Sequence, residues 1–432
     1  MKTTSLFTTL LLCMIFVIQS MAQETISTDP DREILVLFKE QVISAPIGSP
    51  SGVLSRFSIT SDTLKQALQE ANIEFMSRLI PDFKPEDRTV QGADGRTVVL
   101  SDWTNTYLLR IPDKESRASF IERLKKMPEV IYAEPNGIGV HDAIELTEEQ
   151  AVLGKSKMAP FIPNDEYFNR QWMHKNDGTV LQGNGVPGAD MKTTEAWSIT
   201  SGSSSVKIGI VDNGMQTNHP DFTGRASGDA SYSGAGCVSG HGTCVAGAAA
   251  AQGNNVVGIA GVAWNVGIIN EDYSAASDAD LSNAVRSASN RGAQIINNSW
   301  KLTNPIGRYS TTVRRAFADV YKQNRVAVAS MGNQALTPSS EQQYPAAFGQ
   351  GLLTVGASTN TDERADYSSR GNWVDVVAPG GGKPLGGSQT QTDLLYLTSP
   401  SNSYSYTSGT SFAAPTVSGL AALLLSYKPE FD

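Results

Sequence analysis

Cysteine is scarce in this chain. There are three in 432 residues, and Cys13 falls in an apolar N-terminal run, which leaves Cys237 and Cys244 for the body of the protein. At most one bridge is available there. A basic excess is also missing: 34 Lys and Arg stand against 43 Asp and Glu, a net charge of −9 with pI about 5.1. That argues against nucleic-acid binding through phosphate contacts. Past the first 22 residues no apolar run reaches bilayer-spanning length, so no membrane span is expected. Phosphate-binding signatures fail as well. Gly380-Gly381-Gly382-Lys383 lacks the spacing and hydroxyl of a P-loop, and no GxGxxG follows a strand. Histidine is limited to four, so few imidazoles can act as a base.

The chain does have 40% hydrophobic residues, enough for a large core and more than one domain. Residues 1–22 read as a secretory signal. Lys2 supplies the charged start, Leu10 to Ile18 the apolar segment, and Ser20-Met21-Ala22 the small-residue cleavage site. The expected product is exported. An oxidising compartment permits a bridge between Cys237 and Cys244, which bracket His241; two free thiols are the alternative.

Residues 23–150 predict a small α+β domain. Glu33 to Phe38, Thr106 to Ile111 and Val130 to Glu134 are apolar strands, with shorter candidates at Ile73 to Phe75 and Thr97 to Leu100. Helices are expected from Ser61 to Glu70 and from Asp113 to Met127. The order β-α-β-β-α-β is the ferredoxin-like pattern. Residues 137 to about 163 lack periodicity and read as a linker.

From about 160 to 432 the pattern changes. Buried strands at Val206 to Val211, Ala293 to Asn298, Val326 to Ala329, Leu353 to Ala357 and Val374 to Ala378 alternate with helices at Thr243 to Ala251 and Ser310 to Asn324. This predicts an α/β, doubly wound, mostly parallel sheet, with sites at the carboxyl ends of its strands. Asp212 and Asn333 lie just past such ends. Near the C-terminus, the stretch Ser408 to Pro415 runs into an apolar segment, Phe412 to Leu425, that reads as a buried helix with Pro415 in its first turn. Ser411 then sits by the unused N–H groups of a helix start, a place for a nucleophile or for a capping serine.

A serine needs a base, and the base needs an acid to fix its tautomer. His141 and His174 lie in weakly structured stretches and His219 in a loop. His241 alone has glycine surroundings that let a peptide backbone approach. Asp212, His241 and Ser411 follow one another in the chain order Asp-His-Ser.

Val211-Asp212-Asn213-Gly214, His241-Gly242-Thr243-Cys244-Val245-Ala246-Gly247 and Gly409-Thr410-Ser411-Phe412-Ala413-Ala414-Pro415 resemble the three signature motifs of the subtilisin-like serine proteases, the subtilases. Ser330-Met331-Gly332-Asn333 resembles that family's oxyanion loop. The end of the first domain, Val130 to Asn136, is similar to its inhibitory propeptides. The resemblance implies a secreted, self-processing endopeptidase with Ser411 as nucleophile, His241 as base, Asp212 as its orienting acid and Asn333 as oxyanion donor. The first domain would be its own intramolecular inhibitor, cut off in the linker. Protein or peptide substrates are implied, lined by Ser299, Trp300 and Lys301 and by Ser330, Met331 and Gly332.

The opening of the second domain and Asn297 to Trp300 lean towards the kexin/furin branch. That branch reads basic residues with carboxylates, and here Asn213 and Lys301 to Asn304 offer none, so dibasic specificity is not expected. The chemistry requires no cofactor. A structural Ca²⁺ is implied at Asp165, Asp221 and Asn255, whose hard oxygens suit that ion. The family continues with a further helix, so the peptidase domain is expected to be truncated at Asp432. The competing reading is a protease-like binding or adhesion module with the fold kept and activity lost.

Overall fold

The computed structural model describes residues 29–45, 50–91, 97–141, 144–146, 163–179, 185–228, 230–232, 234–273, 275–303, 305, 307–335, 342–382 and 393–430. The expected signal at 1–22, with Cys13, lies outside them.

The first domain contains β1 (Glu33–Phe38), α1 (Asp62–Glu70), β2 (Phe75–Arg78), β3 (Thr106–Arg110), α2 (Arg117–Lys125) and β4 (Val130–Pro135). They form an antiparallel sheet in the order β2-β3-β1-β4, the ferredoxin-like arrangement, extended at the β2 edge by Ser51–Gly52. Ser61 starts α1 by accepting from the Leu64 N–H. Strand alternation then divides β1. Ile34 and Val36 pack against Leu64, Leu68, Phe120 and Leu124 of the helices. Leu35, on the other face, joins a core shared with the second domain. The stretch Thr97–Val99 stays outside this sheet, in a hairpin with Thr89–Gln91.

Two short strands follow, β5 (Ile138–His141) and β6 (Ile144–Leu146). The sequence reads here as linker. Yet β5 pairs antiparallel with β10 (Trp300–Thr303), and β6 with β15 (Ser403–Ser408), both in the second domain. The ladder bonds of such pairing are made by backbone N–H and C=O groups, so they require no side-chain period in the sequence.

The second domain is a parallel sheet of seven strands. Its order is Ala226–Ser227, β8 (Gly267–Asp272), β7 (Lys207–Asp212), β9 (Ile295–Asn298), β11 (Val326–Ser330), β12 (Leu353–Ser358) and β13 (Val376–Pro379). Helices α3 (His241–Ala250) and α6 (Thr410–Tyr427) cover one face, packing Val245, Ala246, Phe412 and Ala413 on Ile208 and Ile210. Helices α4 (Asp278–Asn290) and α5 (Thr311–Lys322) cover the other, with Val285, Val313 and Phe317 against Val211 and Ile296. Among the described residues, α6 alone is long and apolar enough to cross a bilayer, and it is a core helix. The sheet order reverses around β7, which pairs with β8 on one side and β9 on the other. A crevice opens at the carboxyl ends of strands at such a point.

Sequence patterning misses β8 and α4. Only Ile268 and Ile269 of β8 look like strand core; Asn270-Glu271-Asp272 are polar because they reach the carboxyl edge. The buried face of α4 is built largely from Ala and Ser, which blurs a 3.6-residue period. The hairpin of β14 (Leu395–Ser399) and β15 is missed for its Ser and Tyr content.

The two domains share a polar seam as well as a core. Glu134 accepts from the N–H groups of Thr311 and Thr312, both at 2.8 Å, at the start of α5. Asn136 accepts from the Ala279 N–H at 3.0 Å, at the start of α4. In the other direction, Asp319 of α5 accepts from Trp103 Nε1 and from the Ser101 N–H, each at 2.8 Å.

Candidate active site

Asp212 ends β7, an inner strand of the sheet, and is fully buried. His241 begins α3 and is equally buried. His241 Nδ1 lies 2.8 Å from Oδ1 and 3.0 Å from Oδ2 of Asp212. Gly242 makes this approach possible. A Cβ there would stand 2.5 Å from the Gly214 carbonyl oxygen and 3.0 Å from Asp212 Cβ, so any side chain would push α3 off the strand end. Asp212 Oδ1 also accepts from the Asn213 N–H at 2.8 Å. With Nδ1 donating to a carboxylate, Nε2 is the basic nitrogen.

His174 and His219 are committed elsewhere. His174 is buried between Thr193 Oγ1 and the Ala260 carbonyl, each 2.9 Å away, and burial pushes it down to about 4. His219 Nδ1 accepts from the Asp221 N–H and Nε2 faces the Ser403 carbonyl.

Helix α6 starts at Thr410, earlier than the sequence suggests, so Pro415 falls in the second turn. This has a specific effect. A residue at 415 with an N–H would donate to the Ser411 carbonyl; proline cannot. Ser299 Oγ donates to that carbonyl instead, at 2.7 Å, and Ser411 Oγ donates to the Ser299 carbonyl at 3.3 Å. Proline thus ties the helix start to the strand segment at 299. Phe412, the next residue, sets its ring 5.3 Å from the His241 ring.

Asn333 follows β11. Its Oδ1 accepts from the Thr410 N–H at 2.9 Å and from Thr410 Oγ1 at 2.7 Å. The acceptor end of the amide is thereby fixed, and Nδ2 is its donor end. Thr410 Oγ1 in turn lies 3.0 Å from the Gly332 N–H, which donates to it. The sequence reading did not single out Thr410, although it lies inside the motif around Ser411.

Residues 203–432 match the subtilase family, peptidase S8. The chain belongs to the subtilase family. It is 34% identical over 283 residues to a thermophilic serine proteinase from Bacillus sp. strain AK1, covering 63% of this chain and 65% of that one. It is 31% identical over 275 residues to thermitase from Thermoactinomyces vulgaris, covering 62% and 86% of the two chains. Fervidolysin from Fervidobacterium pennivorans has a similar fold, with a TM-score of 0.59 at 21% identity, over 92% of this chain and 55% of that one.

In this subtilase Ser299, just before β10, lies against Ser411. Trp300 and Leu302 turn into the core, so they present backbone. Lys301 shares the opposite strand face with Ser299. Ser330, Met331 and Gly332 lead from the end of β11 to Asn333, and the Gly332 N–H donates to Thr410, the neighbour of Ser411. The sequence reading missed Gln343. The Leu302 N–H donates to the Tyr344 carbonyl at 2.7 Å, which brings Gln343 beside β10. A Cβ on Gly332 would meet Gln343 Oε1 at 1.8 Å. Gln343 is buried and carries no motif, so only folding reveals it. Strand β5 lies between β10 and the segment at 276–277. It pairs with β10 on one edge, while the Gly139 N–H donates to the Ala276 carbonyl and Ile138 bridges Ser277 on the other.

Asp165, Asp221 and the loop of Asn255 also meet. Asp165 accepts from the N–H groups of Asn254 at 2.8 Å and Asn255 at 3.3 Å, and Asp221 Oδ2 from that of Ile259 at 3.1 Å. Asp221 Oδ1 is buried and has no partner among the described residues. Burial, with the charge of Asp165 nearby, pushes the Asp221 carboxyl up to about 7. Two buried acids with an unused oxygen fit a hard cation. Asn255 contributes less, since its Oδ1 already accepts from the Val257 N–H at 2.8 Å. Groups of three or more acid, His or Cys ligands are absent among the described residues.

Cys237 and Cys244 form a disulfide, with Cα atoms 5.7 Å apart. It fastens the short helix Gly236–Ser239 to α3, on either side of His241.

Proposed function

We propose that this subtilase is an exported serine endopeptidase made as a self-processing zymogen. The observation that carries this reading is the buried Asp212–His241 pair at the crevice where Ser411 lies in the first turn of α6. Ser411 Oγ attacks the scissile carbonyl carbon and passes its proton to His241 Nε2. Asp212 holds Nδ1–H and steadies the imidazolium. The Ser411 N–H, in the helix turn whose donors face outward, and Asn333 Nδ2 receive the oxyanion. Collapse breaks the C–N bond, and His241 returns the proton to the leaving amine. Water then releases the acyl group by the same route.

The zymogen reading is supported by β5 and β6, which pair with opposite sides of the cleft next to Ser411, so the linker lies as a bound substrate would. The N-terminal domain is the inhibitor until it is cut off and removed. Export is supported by the sequence of residues 1–22. Asp165, Asp221 and Asn255 would hold a structural Ca²⁺, which takes no part in the chemistry.

The test uses a fluorophosphonate probe and gel electrophoresis. Wild-type protein should label at Ser411 and lose its N-terminal domain. The Ser411→Ala chain should do neither. Self-cleavage by Ser411→Ala would show that the nucleophile lies elsewhere.

A further inference from the structure

Strand β5 contains one glycine, Gly139, and a second, Gly137, stands just before it; neither has a positive φ. Backbone conformation therefore does not demand glycine at either place. The surroundings do. The backbone at 139 is held on both edges, by its N–H on the Ala276 carbonyl and by its ladder position opposite Leu302. A Cβ there would stand 2.6 Å from Leu281 Cδ1, 3.1 Å from the Lys301 carbonyl oxygen and 3.6 Å from Trp300 Cε3. Leu281 and Trp300 belong to the shared core and are 0% and 1% exposed. A close-packed wall of this kind yields only at the expense of its own packing. At 137 a Cβ would fall 2.1 Å from Arg308 Cζ. That guanidinium is pinned to Asp278 at 2.5 and 2.7 Å and to the Thr303 carbonyl at 3.0 Å, so it is not free to swing aside.

We infer that the cleft is closed over the strand position of Gly139 by Leu281 and the Lys301 carbonyl, so that the enzyme selects peptides with glycine there, upstream of the bond it cuts. Arg308 sets a second, parallel demand two residues earlier. The preferred substrates are extended, glycine-containing segments, and recognition rests on a missing side chain. This rests on the peptidase reading above, because it takes the path of β5 as the path of substrate.

The experiment compares peptides spanning the sequence of residues 136–146, with Gly, Ala or Phe at the position of Gly139, as substrates of the processed protein. The Ala peptide should lose about 10-fold or more in kcat/KM, and the Phe peptide more. Leu281→Ala should bring the Gly-to-Ala ratio towards one. In the full-length chain, Gly139→Phe should slow self-cleavage, read by mass spectrometry. Equal kcat/KM for the three peptides overturns the inference, whether or not Leu281→Ala folds. Fluorophosphonate labelling of the same preparation separates the two claims. Protein that labels but ignores the glycine sinks this inference alone. Protein that neither labels nor cleaves any peptide sinks the peptidase reading and this inference with it.

Discussion

Asp212 approaches His241 with both carboxylate oxygens, 2.8 and 3.0 Å from a single nitrogen, in a site that excludes water from both residues. The contact fixes the tautomer, so its loss should cost catalysis far more than binding. Asp212→Asn is expected to lower kcat by about 10³–10⁴-fold with little change in KM. Steady-state kinetics on a chromogenic peptide checks this, and a loss under tenfold would show that the acid is not needed.

Asn333 is oriented by Thr410 rather than by chance packing. Asn333→Ala should reduce kcat by about 10²–10³-fold, again at near-constant KM. Thr410→Val should reproduce part of that loss, because the amide then loses one of its two anchors. An unaltered kcat in Asn333→Ala would remove the residue from the oxyanion site.

Glu134 caps α5 across the domain seam. Glu134→Ala leaves two helix N–H groups without their carboxylate, a loss of about 1–2 kcal/mol at a helix start. The cut N-terminal domain should then leave sooner, seen as earlier appearance of activity and poorer co-elution on size exclusion. Co-elution as tight as in the wild type would argue that the shared core alone holds the domain.

For the Asp165 and Asp221 pair, calcium should raise the melting temperature and EGTA lower it. A ligand at 100 times its Kd stabilises by about 2.7 kcal/mol. Asp221→Asn should erase the difference between the two conditions. Superimposable melting curves with and without EGTA in the wild type would dismiss the ion.

His174 is buried neutral, its folded-state pKa down at about 4 against an ordinary 6.5. The unfolded chain therefore takes up a proton first as pH falls. Stability should be intact above about pH 6.5, decline through the interval down to about pH 4, and level off below. The drop attributable to this residue is about 3 kcal/mol. His174→Gln should flatten that part of the curve of unfolding free energy against pH, measured by denaturant titration.

The sequence by itself determined the sheet class, the order of its motifs and the residue types for the chemistry. Buried parallel strands must be apolar throughout, and nucleophile, base and acid admit few substitutes, so Val206 to Val211, Asp212, His241 and Ser411 stand out in a linear reading. The ferredoxin-like domain was equally legible, since β1 and β3 are short apolar runs and, around α2, Phe120, Leu124 and Met127 fall at helical spacing. What remained hidden depends on who lies next to whom. Strands β5 and β6 pair along their backbones, α4 hides its face in Ala and Ser, and Gln343 comes to stand beside Gly332 only because Tyr344 bonds to Leu302. The role of Pro415 in handing the Ser411 carbonyl to Ser299 required the true start of α6. Glycine at 139 is the clearest case: its neighbours Leu281 and Lys301 are more than 130 residues away, and a sequence does not say what stands over a missing side chain.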